Sequence, residues 1–94
     1  MKNKSYDVIA DPRHSWIMVP YKDLMESGVE TKVSCYSYRN RQFAWLEEDC
    51  DAPLFCNAME KLGYTLKLNF IDIDDFDEYM VENDVRFRFP DNNN

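Results

Sequence analysis

The chain has 94 residues, of which 45% are hydrophobic and 15% aromatic, and its formal net charge at pH 7 is −7. This apolar content excludes a disordered chain, and the negative charge disfavours nucleic acids and anionic membranes as direct partners. We therefore expect a single domain over residues 1–94, with frayed ends at 1–4 and 90–94.

The sequence also predicts where the protein works. Its first seven residues contain no apolar stretch of the kind that signal peptides carry, and the longest apolar run, Trp16–Pro20, is too short to span a membrane. The three cysteines are an odd number without paired spacing, which is typical of free thiols in a reducing compartment. We expect a cytoplasmic protein that has no membrane partner.

The first third of the chain predicts two strands and a short helix. Apolar residues that roughly alternate favour a strand over Ser5–Ala10, and a β-rich run favours a second strand over Ser15–Val19. Pro20 suits the first position of a helix and Gly28 suits the residue after its last turn, so a helix is expected at about 20–27.

The middle of the chain predicts a hairpin and then the best-defined helix. Thr31–Tyr38 and Gln42–Glu47 are rich in β-branched and aromatic residues, and they flank a turn in which Asn40 tolerates left-handed backbone. Asp51 suits the N-cap of a helix over 52–62. One face of that helix carries an apolar stripe formed by Leu54, Phe55, Ala58, Met59 and Leu62.

The last third predicts two more strands and a third helix. Tyr64–Phe70 alternates cleanly between apolar and polar residues, but the phase inverts at Ile71, so we expect a bulge or the strand's end near 70–71. Asp75–Glu82 has the spacing of a short helix, and Val85–Phe89 alternates like a final strand.

These elements follow one another in the order β-β-α-β-β-α-β-(α)-β. Short strands joined by hairpins, with helices between them, favour an α+β fold. We expect a mostly antiparallel sheet of short strands with two or three helices packed on one face.

The acidic residues are concentrated in the second half of the chain. Residues 1–46 hold seven Lys or Arg and five acids, a net charge of +2, whereas residues 47–94 hold four bases and thirteen acids, a net charge of −9. A region with this charge attracts basic partners and repels nucleic acid.

Two acidic segments are the candidate binding region. Carboxylates that recur about every 6.7 Å along a strand, or about 5–6 Å apart along a helix, can imitate a row of phosphates electrostatically. The candidate partner-binding residues are Glu47, Glu48, Asp49, Asp72, Asp74, Asp75, Asp77 and Glu78. Two simpler interpretations stay open: the first segment can serve to cap a helix, and all these acids can serve solubility alone.

No residue pattern indicates a catalytic, metal or cofactor site. The acidic stretch that begins at Asp72 resembles a calcium loop, but Asp77 stands where that loop needs Gly and Asn83 where it needs a bidentate acid. His14 is the only histidine, and no zinc-ligand spacing occurs. A nucleophilic dyad would need His14 beside one of three thiols, those of Cys35, Cys50 and Cys56. We expect no enzyme, no metal and no cofactor.

A small basic and aromatic patch surrounds the predicted hairpin turn. Arg39 and Arg41 lie close in sequence to Tyr36 and Tyr38, and such a patch could stack on nucleic-acid bases. We prefer the interpretation that it is a hairpin tip charged for solubility.

Four fragments together resemble a known group of proteins. They are His14-x-Trp16, Val19-Pro20, Ser34-x-Tyr36-Ser37-Tyr38 and Leu46-Glu47-Glu48-Asp49-Cys50-Asp51. Over about residues 6–63 the combination resembles a family of small, largely uncharacterised proteins of bacteriophages and mobile elements. Ser15 stands where that family has Gly, and the acidic region 71–84 lies outside the match. The resemblance implies a phage or plasmid origin and action in the host cytoplasm, but no established activity.

Charge and resemblance together lead to three hypotheses. The leading one is a phage-type acidic accessory protein that binds a basic surface of a host protein, as a nucleic-acid-mimicking inhibitor of a defence system of the anti-CRISPR or anti-restriction type. The alternative is a small assembly protein that forms homo-oligomers by strand addition at the Val85–Phe89 edge. A small enzyme that uses Cys50 or the clustered acids ranks last.

Overall fold

The computed structural model describes residues 2–89, and the predicted tail at 90–94 lies outside the described residues. The strands are Lys2–Ala10 (β1), Ser15–Pro20 (β2), Tyr38–Arg39 (β3), Phe43–Glu47 (β4), Tyr64–Asp72 (β5) and Phe87–Arg88 (β6). The helices are Tyr21–Ser27 (α1), Asp51–Lys61 (α2) and Phe76–Glu82 (α3), with a 3₁₀ turn at Glu30–Lys32. Every helix described here is too short or too polar to cross a lipid bilayer.

The strands form one mixed sheet in the spatial order β5-β1-β2-β4-β3-β6. β1 and β5 run parallel, and each of the other neighbouring pairs is antiparallel. The predicted α+β class, the mostly antiparallel sheet and the order of elements are confirmed. The parallel pair was not predicted, because β5 joins β1 only after the chain has passed through three other strands and two helices.

One face of the sheet is covered by α1 and α2. Alternate residues of β1, β2 and β4 point to this face, among them Val8, Ile17 and Leu46, and they pack against the two helices. Leu24 of α1 and Phe55 of α2 are fully buried there. Burying one such side chain stabilises the fold by about 2–3 kcal/mol relative to leaving it exposed. The prediction of two helices packed on one face is therefore confirmed.

The opposite face is covered by α3. The residues of β2 and β4 that alternate with the first set, Trp16 and Trp45, point to this side and pack with Ile9 and Phe76. The optional third helix thus forms as expected, but it lies on the other face from α1 and α2. Without it, two Trp side chains would stand in solvent.

The predicted strand over Thr31–Tyr38 is wrong. The chain there forms a 3₁₀ turn and irregular backbone, and only Tyr38 of that range belongs to a strand. The reason lies in polar side chains: the carboxylate of Asp51 accepts hydrogen bonds from the backbone N–H and hydroxyl of Ser34 and from the hydroxyl of Ser37. Such local bonds compete with a strand ladder for the backbone groups.

Asp51 therefore differs from its predicted role. The helix begins at Asp51 itself, after Cys50, and no side chain caps it. The Asp51 carboxylate is buried and turned to Ser34 and Ser37 rather than to the helix's own N–H groups. At the other end of α2, Gly63 has φ of 97°, a conformation that favours glycine and allows the chain to turn directly into β5.

The bulge expected near 70–71 does not form, and residues 2–4, where we expected frayed backbone, belong to β1. β5 continues to Asp72, and its parallel register with β1 runs unbroken from Lys2 beside Tyr64 to Ala10 beside Asp72. The N-terminal residues 2–4 are therefore part of a strand, because β5 provides a neighbour that the local sequence could not reveal. The predicted last strand, Val85–Phe89, shortens to Phe87–Arg88.

Candidate functional site

Both acidic segments meet at one end of the sheet. The strand register places Ala10 beside Asp72 and Trp16 beside Glu47. The last residues of β1, β4 and β5 and the first residues of β2 therefore lie at the same end of the sheet. α3 starts there as well, four residues after β5. We name this region the acidic end and define it by its carboxylates: Asp11, Glu48, Asp49, Asp72, Asp74, Asp75, Asp77 and Glu78.

The turn between β1 and β2 organises the acidic end. One carboxylate oxygen of Asp11 accepts from the backbone N–H groups of Arg13 (2.9 Å) and His14 (2.8 Å), and the other accepts from the N–H of Phe76 (3.4 Å). Partial burial tends to raise the pKa of Asp11, but the N–H groups of His14, Arg13 and Phe76 outweigh it and hold that pKa below its ordinary value. Asp11 thus stays charged and ties the turn to the start of α3.

An aromatic stack supports α3 beneath the acids. The rings of Trp16 and Phe76 are stacked with their centroids 3.7 Å apart, and Phe76 stacks in turn on Tyr79 at 5.4 Å. The indole N–H of Trp45 donates to the Tyr79 hydroxyl at 3.0 Å. Aromatic pairs of this kind stabilise by about 0.5–1.5 kcal/mol beyond their buried area, so the stack fixes a helix of only seven residues.

The acids surround a concave surface. A cavity of about 490 Å³ lies between the Asp11–His14 turn and the Asp74–Asp77 segment, and its remaining lining comes from Trp16, Tyr38 and Phe76. Its only base is Arg13, with His14 beside it. A cavity with acids on two walls and aromatic rings between them can receive Lys or Arg side chains, which pair with carboxylates and stack on aromatic faces.

The predicted binding residues have different environments. Glu47 is buried, and its carboxylate accepts from the backbone N–H groups of Asp49 and Cys50, both at 3.1 Å. Asp75 caps α3 by accepting from the N–H of Asp77. These two carboxylates therefore have a structural role: Glu47 holds the turn before α2, and Asp75 is the N-cap of α3. The exposed members are Asp49, Asp72, Asp74, Asp75, Asp77 and Glu78, while Glu48 is half-buried.

One group at the acidic end offers donor atoms for a cation. His14, Glu47 and Glu48 each present a ligand atom, and these atoms lie within 4.8 Å of one another. One Glu48 oxygen is held by the Ser15 hydroxyl at 2.7 Å, and Glu47 is held by the two N–H groups described above. Imidazole and carboxylate suit Zn²⁺ or Mn²⁺. The hydrogen bonds just described, however, already account for the orientation of the Glu47 and Glu48 carboxylates. The absence of a metal stays a prediction.

The surroundings of Cys50 and Cys56 do not favour nucleophilic chemistry. Cys35 and Cys50 are exposed and Cys56 is half-buried, and all three are free. Desolvation and the neighbouring carboxylates of Glu47, Asp51 and Asp49 raise the pKa of Cys50, and burial with Glu60 nearby raises that of Cys56. A nucleophilic thiol needs a lowered pKa, so the surroundings act in the opposite direction.

The basic and aromatic patch is largely bound within the fold. The Arg39 guanidinium lies over the Tyr21 ring at 4.1 Å. Arg88 donates to the Tyr38 hydroxyl at 2.8 Å and lies over the same ring at 4.8 Å. These contacts agree with a structural role for Tyr38 and Arg39, whereas Tyr36 is 60% exposed.

Two carboxylates that hold the structure together, those of Asp11 and Asp23, were not predicted from the sequence. Asp11 is absent from the predicted site residues, although an Asp at the first position of a turn often accepts from the next N–H groups, which is the available clue. Asp23 is buried and accepts from the Tyr6 hydroxyl at 2.7 Å, with the Lys4 ammonium 3.3 Å away. Nothing local distinguishes Asp23 from an exposed helical acid.

Comparison of the chain with protein-family models, with curated proteins and with solved structures finds no match.

Proposed function

We propose that this chain is an acidic binding protein that docks its acidic end on the basic surface of a partner protein. The observation that carries the proposal is the meeting, at one end of the sheet, of two acidic segments that lie far apart in sequence. Solubility alone needs only dispersed charge and no such convergence.

The charge balance of the acidic end supports this proposal. Eight carboxylates define the surface, whereas the bases around it are Arg13 and the single histidine. Like charges held this close repel one another, which lowers the stability of the free protein. A basic partner relieves that repulsion, so part of the unfavourable energy is recovered on binding.

The partner that fits best is an enzyme that binds nucleic acid. Carboxylates about 6.7 Å apart along a strand, or about 5–6 Å apart along a helix, form a row of negative charge that can imitate phosphates. Asp72 ends β5, and Asp77 and Glu78 lie in the first turn of α3. In this proposal the protein competes with nucleic acid for a basic groove and does not itself bind nucleic acid or membrane. The resemblance to phage proteins favours a host defence nuclease of the CRISPR or restriction type, in the host cytoplasm.

A displacement assay tests the proposal. Labelled duplex DNA is bound to a purified restriction endonuclease or CRISPR effector, and the protein is titrated in while the anisotropy of the label is recorded. We expect displacement at low salt that weakens at high salt, because the competing contacts are charge pairs exposed at a surface. A pull-down from host lysate, washed at the two salt concentrations, supplies candidate enzymes.

Matched charge reversals separate the acidic end from net charge. Asp74→Lys with Asp77→Lys alters the acidic end, whereas Glu60→Lys with Glu82→Lys makes the same change in net charge at exposed sites elsewhere. The proposal expects the first pair to abolish displacement and the second to retain it. Equal loss in both pairs would mean that displacement follows net charge, and unchanged displacement in the first pair would exclude the acidic end.

The second candidate function is assembly through a sheet edge. It is favoured by the topology, which places β5 and β6 at the two ends of the strand order. The predicted Val85–Phe89 edge corresponds to β6, which is only two residues long, whereas β5 at the other edge is nine residues long and better suited to pairing.

A further inference from the structure

The two edge strands of the sheet differ in their fitness for pairing. β6 is two residues long, and its Arg88 donates to the Cys35 carbonyl and the Tyr38 hydroxyl. β5 is nine residues long, and among the described residues only β1 pairs with it. Short charged edges are protected from strand addition, whereas long apolar edges invite it.

Three of the six exposed side chains of β5 are apolar. Phe70 is 69% exposed, Ile71 41% and Leu68 39%, and the strand carries only two charges, those of Lys67 and Asp72. On the face covered by α2, Leu68 and Phe70 lie beyond the helix and border a groove of about 250 Å³. Covering these side chains would remove further apolar surface from water, which favours association.

The outer edge of β5 also presents backbone groups in a defined pattern. The N–H of Ile73 donates to the Ala10 carbonyl, so odd-numbered residues of this region bond inward to β1. Because successive residues of a strand alternate in direction, the N–H and C=O groups of Leu66, Leu68 and Phe70 point outward. A strand added here would bond to the backbone of those residues.

We propose that a second copy of this chain pairs antiparallel with β5 about a two-fold axis at Leu68, which makes one continuous sheet across a homodimer. A two-fold axis normal to the sheet sets Leu68 opposite Leu68 of the second copy and Leu66 opposite Phe70. On the other face it sets Thr65 opposite Ile71 and Lys67 opposite Asn69. Pairing along the strand supplies about ten backbone hydrogen bonds, two for each hydrogen-bonded pair.

This register is complementary in side-chain type. Every pair on the α2 face from Leu66 to Phe70 is apolar, and no like charges stand opposite each other. A two-fold axis one residue earlier would set Lys67 opposite itself, which destabilises an antiparallel pair. The sequence of β5 thus favours the axis at Leu68 over its neighbour.

Charge complementarity at the ends of the strand favours the same register. Asp72 falls opposite Tyr64 of the second copy, and the ammonium groups of Lys2 and Lys4 lie over that ring at 5.2 and 5.4 Å. Each Asp72 therefore approaches the Lys2 and Lys4 ammonium groups of the neighbouring copy. The arrangement leaves the cavity at Asp74–Asp77 open, so the dimer goes beyond the proposed function and does not depend on it.

Light scattering after gel filtration, over a range of concentrations, tests the dimer. We expect the unmodified protein to be dimeric and Leu68→Lys to weaken the dimer on the order of a hundredfold, because two ammonium groups then meet at the axis and two buried Leu side chains are lost. Val81→Lys is the matched control, since Val81 is 83% exposed on α3. Phe87→Lys tests the β6 edge.

Several results would overturn the proposal: a monomer at every concentration, a dimer that persists in Leu68→Lys, or a dimer lost only in Phe87→Lys. If circular dichroism shows that Leu68→Lys is unfolded, Phe70→Lys replaces it at a more exposed position of the same face.

Hydrogen exchange gives a second readout, in which the amides of Leu66, Leu68 and Phe70 are protected in the dimer and exchange at least tenfold faster in the monomeric variant. Monomeric Leu68→Lys should still displace DNA, so failure of the dimer and failure of the proposed function are distinguishable.

Discussion

The carboxylates of this protein fall into two groups that differ in what surrounds them. Asp23 and Asp51 are buried, and each accepts hydrogen bonds from donors on other elements. At the acidic end, by contrast, Asp74 and Asp77 are exposed, and they line a cavity that has few bases around it. A buried carboxylate destabilises the fold unless hydrogen-bond donors pair with it, whereas an exposed carboxylate can interact with another molecule.

The largest effect on stability is expected at Asp51. Asp51→Ala removes the shared acceptor of the Ser34 and Ser37 hydroxyls and leaves buried donors unpaired, so the free energy of unfolding should fall by about 3 kcal/mol. Urea denaturation followed by Trp fluorescence measures the change. Asp49→Ala, an exposed neighbour, should lie within about 0.5 kcal/mol of the unmodified protein. An equal change in the free energy of unfolding at the two sites would contradict the distinction between buried and exposed carboxylates.

A smaller loss is expected at the second buried carboxylate. Tyr6→Phe removes the hydroxyl that donates to Asp23 and should reduce stability by about 1.5–2 kcal/mol at neutral pH. Burial, followed by the Asp23 hydrogen bond, raises the pKa of Tyr6 well above its ordinary value of 10.0. The folded state then holds its proton more tightly than the unfolded state, so the stability that this hydroxyl contributes is fully present below pH 10.0 and is lost as the pH rises further. Denaturation curves between neutral pH and pH 11 should show a shallower fall in Tyr6→Phe.

Asp11 stands between the two groups, because it is half-buried and belongs to the acidic end. Its pKa is lowered in the folded state, so the stability it contributes is present above its ordinary pKa of 3.8 and is lost as the pH falls below that value. Asp11→Asn keeps an acceptor oxygen but cannot titrate. We expect a stability change of less than about 1 kcal/mol at neutral pH and a shallower loss in acid. If the free energy of unfolding falls equally steeply with decreasing pH in the unmodified protein and in Asp11→Asn, Asp11 does not contribute to the loss of stability in acid.

The smallest effect on stability is expected for the exposed acids themselves. Asp74→Lys with Asp77→Lys should change the free energy of unfolding by less than about 1 kcal/mol, because relief of repulsion offsets the lost interaction of Asp77 with the N-terminus of α3. The melting temperature measures this, and the displacement assay described above measures the loss of binding. A large destabilisation here would contradict the contrast between buried and exposed carboxylates.

The order of elements could be predicted because it follows from local patterns. The stripe that includes Phe55 and Met59, the Pro20 and Gly28 boundaries and the alternation in Tyr64–Phe70 each depend on residues that are close in sequence. The strand expected at Thr31–Tyr38 failed because Asp51, which lies 14 residues beyond Ser37, competes for the hydroxyl and backbone groups there.

The candidate site was predicted in part for the same reason. Excess charge marked the segments at Glu48–Asp49 and Asp72–Glu78, since charge is read directly from residue type. The sequence could not show that the register of β1, β2, β4 and β5 brings these segments together with Asp11, or that Glu47 is buried.

By itself the sequence determined most of the element types, the acidic half of the chain and the apolar character of one face of Tyr64–Phe70, because each of these depends on residue identity and short-range periodicity. Only the tertiary structure decided that β5 lies parallel to β1 at the sheet edge, that α3 covers the face opposite α1 and α2, and which carboxylates are buried. Those outcomes depend on contacts between residues remote in the chain, where the burial of side chains such as Trp16 and Phe76 outweighs local preference.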